Sequence, residues 1–222
     1  MEDTSPQGPR IPRLGWAIAF IVFVMVVAVA FQKMKHTTVA QGKPLDKLAT
    51  VPEFVLTDQT GNKVSLQDLK GKVWVANFIF TQCKGPCPVI TSRMAELNQE
   101  LGNKHQDVKL ISFSVDPEND TPEVLAAYGK TVSADPKNWK FLTGSQEDIN
   151  KVVIKGLLQP LMKDPDGTPA HSTRFVVVDR DGVVRAFEDA LGQESVQKLL
   201  LNIGALLREP VAVNSEKGQT PK

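Results

Sequence analysis

The chain reads as an α/β domain with a mixed central sheet flanked by helices. Three features carry that reading. Short runs rich in β-formers alternate with runs of helical period. One run, Val73 to Phe80, is apolar at nearly every position, as in a strand covered on both faces. The series closes on a hairpin followed by a helix, which mixes antiparallel pairing into the sheet.

The first elements form an N-terminal hairpin. Pro52 to Thr57 and Lys63 to Leu66 are short strands around the turn Asp58-Gln59-Thr60-Gly61-Asn62. The central strand, Val73 to Phe80, follows Lys70-Gly71-Lys72. A helix then starts at Pro88, where a missing N–H does no harm, and shows its apolar face at Val89, Ile90, Met94, Leu97 and Leu101. Val108 to Val115 is a second inner strand. Asp120 or Thr121 caps the next helix, with Pro122 in its first turn, to about Lys130. Asn138 to Thr143 is strand-like, and Ser145 with Asp148 has capping-box spacing for a helix to about Leu158. Leu161 to Ala170 reads as a loop because it holds Pro165, Asp166, Gly167 and Pro169. Arg174 to Asp179 and Val183 to Phe187 pair around Arg180-Asp181-Gly182, and Val196, Leu199, Leu200, Ile203 and Leu207 mark the last helix.

Outside that domain, Leu14 to Phe31 is a run of 18 uncharged, mostly apolar residues. As a helix it spans roughly 27 Å, close to the hydrocarbon thickness of a bilayer. It is expected to be a transmembrane anchor, and a removed signal peptide is the alternative, because Ala28-Val29-Ala30 has the form of a cleavage site. Arg10 and Arg13 precede the run, and Lys33, Lys35 and Lys43 follow it, so the flanking charge barely discriminates orientation. The expected organisation is a tail at 1–13, the anchor at 14–31, a polar tether at 32–50, the folded domain at 51–207 and a flexible tail at 208–222. Either membrane reading places the folded part outside the cytoplasm.

A formal net charge of +1, from 26 basic and 25 acidic residues, gives no reason to propose a nucleic-acid partner. There are two cysteines, Cys83 and Cys87, and both lie in Thr81-Gln82-Cys83-Lys84-Gly85-Pro86-Cys87-Pro88 between the central strand and its helix. Two cysteines in one motif are not a disulfide framework. A helix N-terminus carries partial positive charge and favours thiolate over thiol. Two thiolates there form a disulfide, attack one, or grip a soft metal ion. The bland alternative is a pair of buried, inert cysteines. Gly85 and Pro86 place at least part of the motif outside a regular helix.

Of three histidines, His36 lies beside the apolar run and His105 in the polar stretch Gly102 to Asp107. His171 stands where a loop enters the strand starting at Arg174, and adjacent strands of one sheet bring their ends together. It is either a third ligand or an ordinary junction histidine. Two thiolates and one imidazole suit copper. They fall short of a closed four-ligand structural zinc site and of the four cysteines common to iron–sulfur clusters.

At these residues the chain resembles the Sco/SenC family of copper-binding proteins that assist cytochrome oxidase assembly. The likeness lies in Phe80-Thr81-Gln82-Cys83, Cys87-Pro88 and Met94, in Ser114-Val115-Asp116-Pro117-Glu118-Asn119-Asp120-Thr121-Pro122, and in His171-Ser172-Thr173 before a strand ending Asp179-Arg180-Asp181-Gly182. The resemblance implies a thioredoxin-like fold, copper held by Cys83, Cys87 and His171, and Asp116 as a supporting residue. It implies as partners the copper-bearing subunit of cytochrome c oxidase and other copper chaperones or thiol–disulfide reductases, on the periplasmic side of a bacterial membrane or in the mitochondrial intermembrane space. Two positions depart from the family pattern: Lys84 replaces a common proline, and Ala170 a common aspartate. A cation favours thiolate yet disfavours a bound cation.

The first function expected is therefore a membrane-tethered copper chaperone for the dinuclear copper centre of the oxidase. The second is an extracytoplasmic thiol–disulfide oxidoreductase acting through Cys83 and Cys87. A peroxidase of the peroxiredoxin type fits less well, since its threonine stands three residues before the reactive cysteine and Thr81 stands two before Cys83.

Overall fold

The structure is a computed structural model that describes residues 22–25, 44–163 and 169–210. The chain divides into two compact units, Met1–Lys43 and Pro44–Lys222. Of the first, only residues 22–25 are described, and they are helical and exposed. The expected anchor at 14–31 otherwise falls outside the described residues, as do 211–222. Among the described residues, no helix is long and apolar enough to cross a membrane.

The second unit holds an eight-stranded sheet. Its strands are β1 (Ala49–Thr50), β2 (Val55–Asp58), β3 (Lys63–Ser65), β4 (Val73–Ile79), β5 (Val108–Ser114), β6 (Trp139–Thr143), β9 (Arg174–Val178) and β10 (Val183–Asp189), while β7 (Leu161–Lys163) and β8 (Pro169–His171) form a separate pair. The order across the sheet is β1-β10-β9-β4-β5-β6-β2-β3. Strands β4, β5 and β6 run parallel, and β9 lies antiparallel against β4. The helices are α1 (Leu66–Leu69), α2 (Cys87–Leu101), α3 (Pro122–Thr131), α4 (Gln146–Asn150) and α5 (Ser195–Arg208). The expected α/β class and mixed sheet are thus observed, with the N-terminal hairpin as β2 and β3.

Every residue of β4 is buried, and alternate side chains serve opposite faces. Trp74, Ala76 and Phe78 enter one core cluster with Phe54, Phe113 and Val176. Val73, Val75 and Ile79 enter the other, against Ile90, Met94 and Leu97 of α2 and Leu199 and Ile203 of α5. Burial of each such side chain contributes about 1.5–3 kcal/mol. Asn77, also fully buried, accepts from Ser112 Oγ at 2.6 Å, and Ser112 in turn accepts from Trp139 Nε1 at 2.8 Å.

Besides a short helix at Leu66–Leu69 where Leu66 was read as strand, and a helix start at Cys87 rather than Pro88, four departures from expectation stand out. Ala49–Thr50 joins the sheet by pairing with Val183 and Val184. The expected loop from Leu161 is a hairpin: β7 pairs with β8 in the register Leu161↔His171, with 164–168 outside the described residues. The helix after Ser145 widens into a π-helical turn at Lys151–Gly156, and the chain leaves it through Leu158 at φ 56°. A bulge falls between Val184 and Ala186, where Arg185 turns inward to Asp179 and Glu209, each at 2.8 Å.

Two turns require positive φ and have glycine there: Gly61 (83°) between β2 and β3, and Gly182 (79°) between β9 and β10. The first turn is organised by Asp58, buried at the end of β2. Its carboxylate accepts from the Thr60 and Asn62 backbone N–H groups at 2.9 and 3.0 Å and from Lys140 Nζ at 2.5 Å. Burial alone raises a carboxyl pKa, but here the Lys140 and Thr60 bonds outweigh it and hold Asp58 below its ordinary 3.8. A lowered carboxyl contributes stability above its unfolded value, and loses it as pH falls through the folded one. Asp58→Asn is expected to cost about 1–3 kcal/mol in urea unfolding at pH 7. That difference should shrink as pH is taken below about 3.8.

Candidate functional site

Three segments converge at one edge of the sheet. Strand β4 ends at Ile79, and Phe80 leads into the cysteine loop. Strand β5 ends beside it, its pairing extended by a bond from Val115 N–H to the Ile79 carbonyl at 2.9 Å. Strand β9 runs the other way, so its first residue, Arg174, lies toward the end of β4. The register Ala76↔Val176 brings the start of β9 toward the edge where the cysteine loop begins, while His171, three residues earlier, pairs with Leu161 in the separate β7–β8 sheet. The expected convergence of strand ends therefore holds for the start of β9. The His171 side chain lies outside the described residues.

Residues 81–86 are turns and bends, and Cys87 is the first residue of α2. Pro86 and Pro88 flank that start, and the Pro86 carbonyl accepts from Val89 and Ile90 N–H at 3.0 and 3.1 Å. Cys83 therefore sits on the loop and Cys87 on the helix. No disulfide joins the two cysteines. Cys83 is near enough to act on the Cys87 thiol. Cys87 is 1% exposed and packs with the Phe80 and Phe113 cluster, while Cys83 is half-buried against the same cluster.

Burial pushes the Cys87 thiol far above its ordinary value, and neighbouring Cys83 adds to the rise. The helix N-terminus was expected to favour thiolate. At Cys87 the loss of solvent outweighs it, so the free protein holds this sulfur protonated. Lys84, a second expected source of thiolate, is exposed to solvent, where its field is weakened.

Asp116 follows β5, and both of its carboxylate oxygens accept from Asn119 Nδ2, at 3.1 and 2.9 Å. Its backbone carbonyl takes Asp120 N–H at 2.9 Å, closing the loop into a tight turn. That turn delivers Asp120 to the cysteine loop. Asp120 is fully buried and accepts from the Thr81 backbone N–H at 3.2 Å, from Thr81 Oγ1 at 2.5 Å and from Ser114 Oγ at 2.6 Å. The expected choice between Asp120 and Thr121 as cap of α3 resolves to Thr121, whose Oγ1 accepts from Val124 N–H at 3.4 Å.

The helix side has its own tie. Tyr128 Oη on α3 lies 2.9 Å from Thr91 Oγ1, one turn beyond Cys87 on α2. Burial raises the Tyr128 phenol above its ordinary value, and negative charge on Cys87, Cys83 or Asp120 acts in the same direction. Neither Asp120 nor Tyr128 stood out in the sequence as a site residue. A signal was available for the first: once Thr121 and Pro122 account for the helix start, the carboxylate before them needs another partner.

Comparison with known proteins places this geometry among close likenesses. A match to the family SCO1/SenC spans residues 42–203. The SCO1 protein homolog of Bacillus subtilis is 38% identical over 169 residues, which cover 75% of this chain and 82% of that one. A solved structure of BsSco, described as a member of the Sco family of cytochrome c oxidase assembly proteins with a disulfide switch, has 35% identity and TM-score 0.66, over 74% of this chain and 98% of that one. Bradyrhizobium japonicum ScoI, solved with copper bound, has 29% identity and TM-score 0.61, over 71% and 99%.

The exposure difference between the sulfurs is directly measurable. In the metal-free full chain under reducing conditions, iodoacetamide is expected to modify Cys83 well before Cys87. Peptide mapping by mass spectrometry at successive times checks the order. Faster labelling of Cys87 would contradict the packing described.

Proposed function

Because this chain belongs to the SCO1/SenC family, whose thioredoxin-like fold it shares, we propose that it is a membrane-tethered copper chaperone acting in cytochrome c oxidase assembly. The observation that carries the proposal is the pair of neighbouring thiols, not joined by a disulfide, at the sheet edge where β9 begins three residues after His171. Copper is the cargo. Thiolates select Cu(I), an imidazole helps hold Cu(II), and the assigned ligands are Cys83, Cys87 and His171. Asp116 acts in support by shaping the loop that follows β5. The recipient is the dinuclear copper centre of the oxidase, reached by ligand exchange. The copper-bound relative and the family's association with oxidase assembly support this reading.

In the same reading, residues 14–31 anchor the chain, 32–50 tether it, and 51–207 carry the cargo on the extracytoplasmic side. The 18-residue apolar run supports the anchor. Its length and the polar stretch after it would keep the thiols at working distance from a membrane-bound oxidase.

A second activity has an observation of its own. Both cysteines are thiols and near neighbours, and BsSco is described as having a disulfide switch. Reduction of a partner's cysteines would oxidise Cys83 and Cys87 to a disulfide, with two electrons and two protons passing to the partner. Only Cys83 is accessible enough to begin such an exchange. This reading makes the protein a thiol–disulfide oxidoreductase, and the two activities are compatible, since a copper site must first have reduced cysteines.

The test is metal titration of the reduced full chain, with wild type beside Cys83→Ser, Cys87→Ser and His171→Ala. About one copper per chain is expected, and each substitution should weaken binding by at least roughly 10–100-fold, the loss typical even of outer partners. Unchanged binding in His171→Ala would remove that residue from the ligand set. Reduction of a disulfide substrate by the metal-free protein, at the rate of a dedicated reductase, would favour the second activity as the main one.

A further inference from the structure

We infer that Asp120 is a positioning residue for the cysteine pair: its buried carboxylate, acting through Thr81, fixes the loop that carries Cys83. The inference rests on the thiol-site reading above and adds to it a residue that touches neither sulfur's cargo. Cys83 has its own N–H on the Phe80 carbonyl at 3.2 Å, so the loop's course is set within the three residues from Phe80. Thr81 lies inside that span and gives both of its donors to Asp120: the backbone N–H to Oδ1 and Oδ2 at 3.2 Å each, and Oγ1 to Oδ1 at 2.5 Å. The remaining lone pairs on Oδ2 face Ser114 Oγ at 2.6 Å, on the last residue of β5. The carboxylate thereby ties the loop after β4 to the end of β5.

Holding the sheet does not require this group. Strands β4 and β5 are already in register from Val73↔Val108 through Ile79↔Ser114. Asp120 is fully buried, and among the described residues no lysine or arginine forms an ion pair with it. A buried carboxylate without a cation costs stability unless donors satisfy it. Here two of the three donors, the Thr81 N–H and Oγ1, come from the loop two residues before Cys83. The same energy that satisfies Asp120 thus orders the segment on which Cys83 rides.

Asparagine distinguishes position from charge. Its carbonyl still accepts from Thr81, and the Ser114 hydroxyl rotates to accept from the new amide. Alanine removes the tie altogether, and Thr81→Val removes one donor while leaving Asp120 in place.

The experiment uses the full chain as wild type, Asp120→Ala, Asp120→Asn and Thr81→Val. Three quantities are read: Cu(I) affinity by competition titration, the Cu(II)–thiolate absorption band, and the midpoint potential of the Cys83–Cys87 couple in glutathione buffers. In the last, two thiols lose two electrons and two protons to glutathione disulfide, giving one protein disulfide and two glutathione thiols. Urea unfolding of each variant is measured alongside. Asp120→Ala and Thr81→Val are expected to bind copper about 10–100-fold more weakly and to shift the band and the potential, with Asp120→Asn restoring most of each. Wild-type affinity, band and potential in folded Asp120→Ala or Thr81→Val would overturn the inference. So would a fall in unfolding midpoint alone, because that is what a merely structural carboxylate predicts. Should Asp120→Ala not fold, Thr81→Val carries the decision. Should wild type bind no copper, the chaperone reading fails, while the midpoint potentials still decide the role of Asp120.

Discussion

The arrangement at the functional edge depends on the parallel pairing of β4 with β5. Seven consecutive residues, Val73 to Ile79, stand opposite Val108 to Ser114, and Val115 extends the ladder to the Ile79 carbonyl. Parallel neighbours end at the same edge, so the loop after β4 and the loop after β5 must emerge side by side. One of those loops carries Cys83 and leads into the helix that begins at Cys87, and the other contains Asp116 and Asp120. Strand β9, antiparallel to β4, begins at that edge and brings the segment after His171 to it. A shift of one residue in this register would move Ser114 and Asp120 away from Thr81. It would also turn the fully buried side chains of β4 toward the wrong faces.

Within the edge, two effects compete over the ionisation of Cys87. The helix N-terminus stabilises an anion by about 0.3–1 kcal/mol, and up to about 2 in partly buried geometries. Full burial shifts a thiol by as much as roughly 3–5 pH units, at about 1.4 kcal/mol per unit. The larger effect prevails, and Cys87 stays a thiol in the free protein. The consequence is chemical as well as electrostatic. In the proposed copper-bound state the balance would reverse, because a metal would replace the proton on a sulfur that solvent cannot stabilise as thiolate.

Much of this was legible in the residues. The uninterrupted apolar run at Val73–Phe80 identified the central strand because a strand covered on both faces has no reason to alternate. The positions Ile90, Met94, Leu97 and Leu101 marked the buried stripe of α2 for the complementary reason, since a helix with one exposed face keeps its period. The proline and glycine between the cysteines correctly kept Cys83 out of the helix. Three things were hidden. The hairpin of β7 and β8 was obscured because Pro165, Gly167 and Pro169 read as loop, and prolines are tolerated in short edge strands. The protonated state of Cys87 was hidden because burial is set by tertiary packing against Phe80 and Phe113, which no local window contains. Asp120 was hidden because its partner Thr81 is 39 residues away, and a hydrogen bond across that distance leaves no periodic trace.

The two thiols are unequal, and that inequality bears on the proposed handling of copper. Cys87 is enclosed by the core and carried by a helix whose next turn is tied to Tyr128. Cys83 is half-buried on a loop, packed on one side against the core cluster and held by hydrogen bonds at Thr81 and Phe80. Ligand exchange requires an incoming group to reach the metal while at least one original ligand still holds it. A sulfur in the core serves retention, because no competing group can approach from its far side. A sulfur on an accessible loop serves entry and departure. The same division suits disulfide exchange, in which one sulfur is attacked from outside and its neighbour displaces the adduct from within. Under either proposed activity, the buried member provides the fixed end of the reaction and the loop member the exchangeable one. The quality of the exchange then turns on how firmly the loop is held, and the proposed role of Asp120, hydrogen-bonded to the loop and to the strand end, lies there.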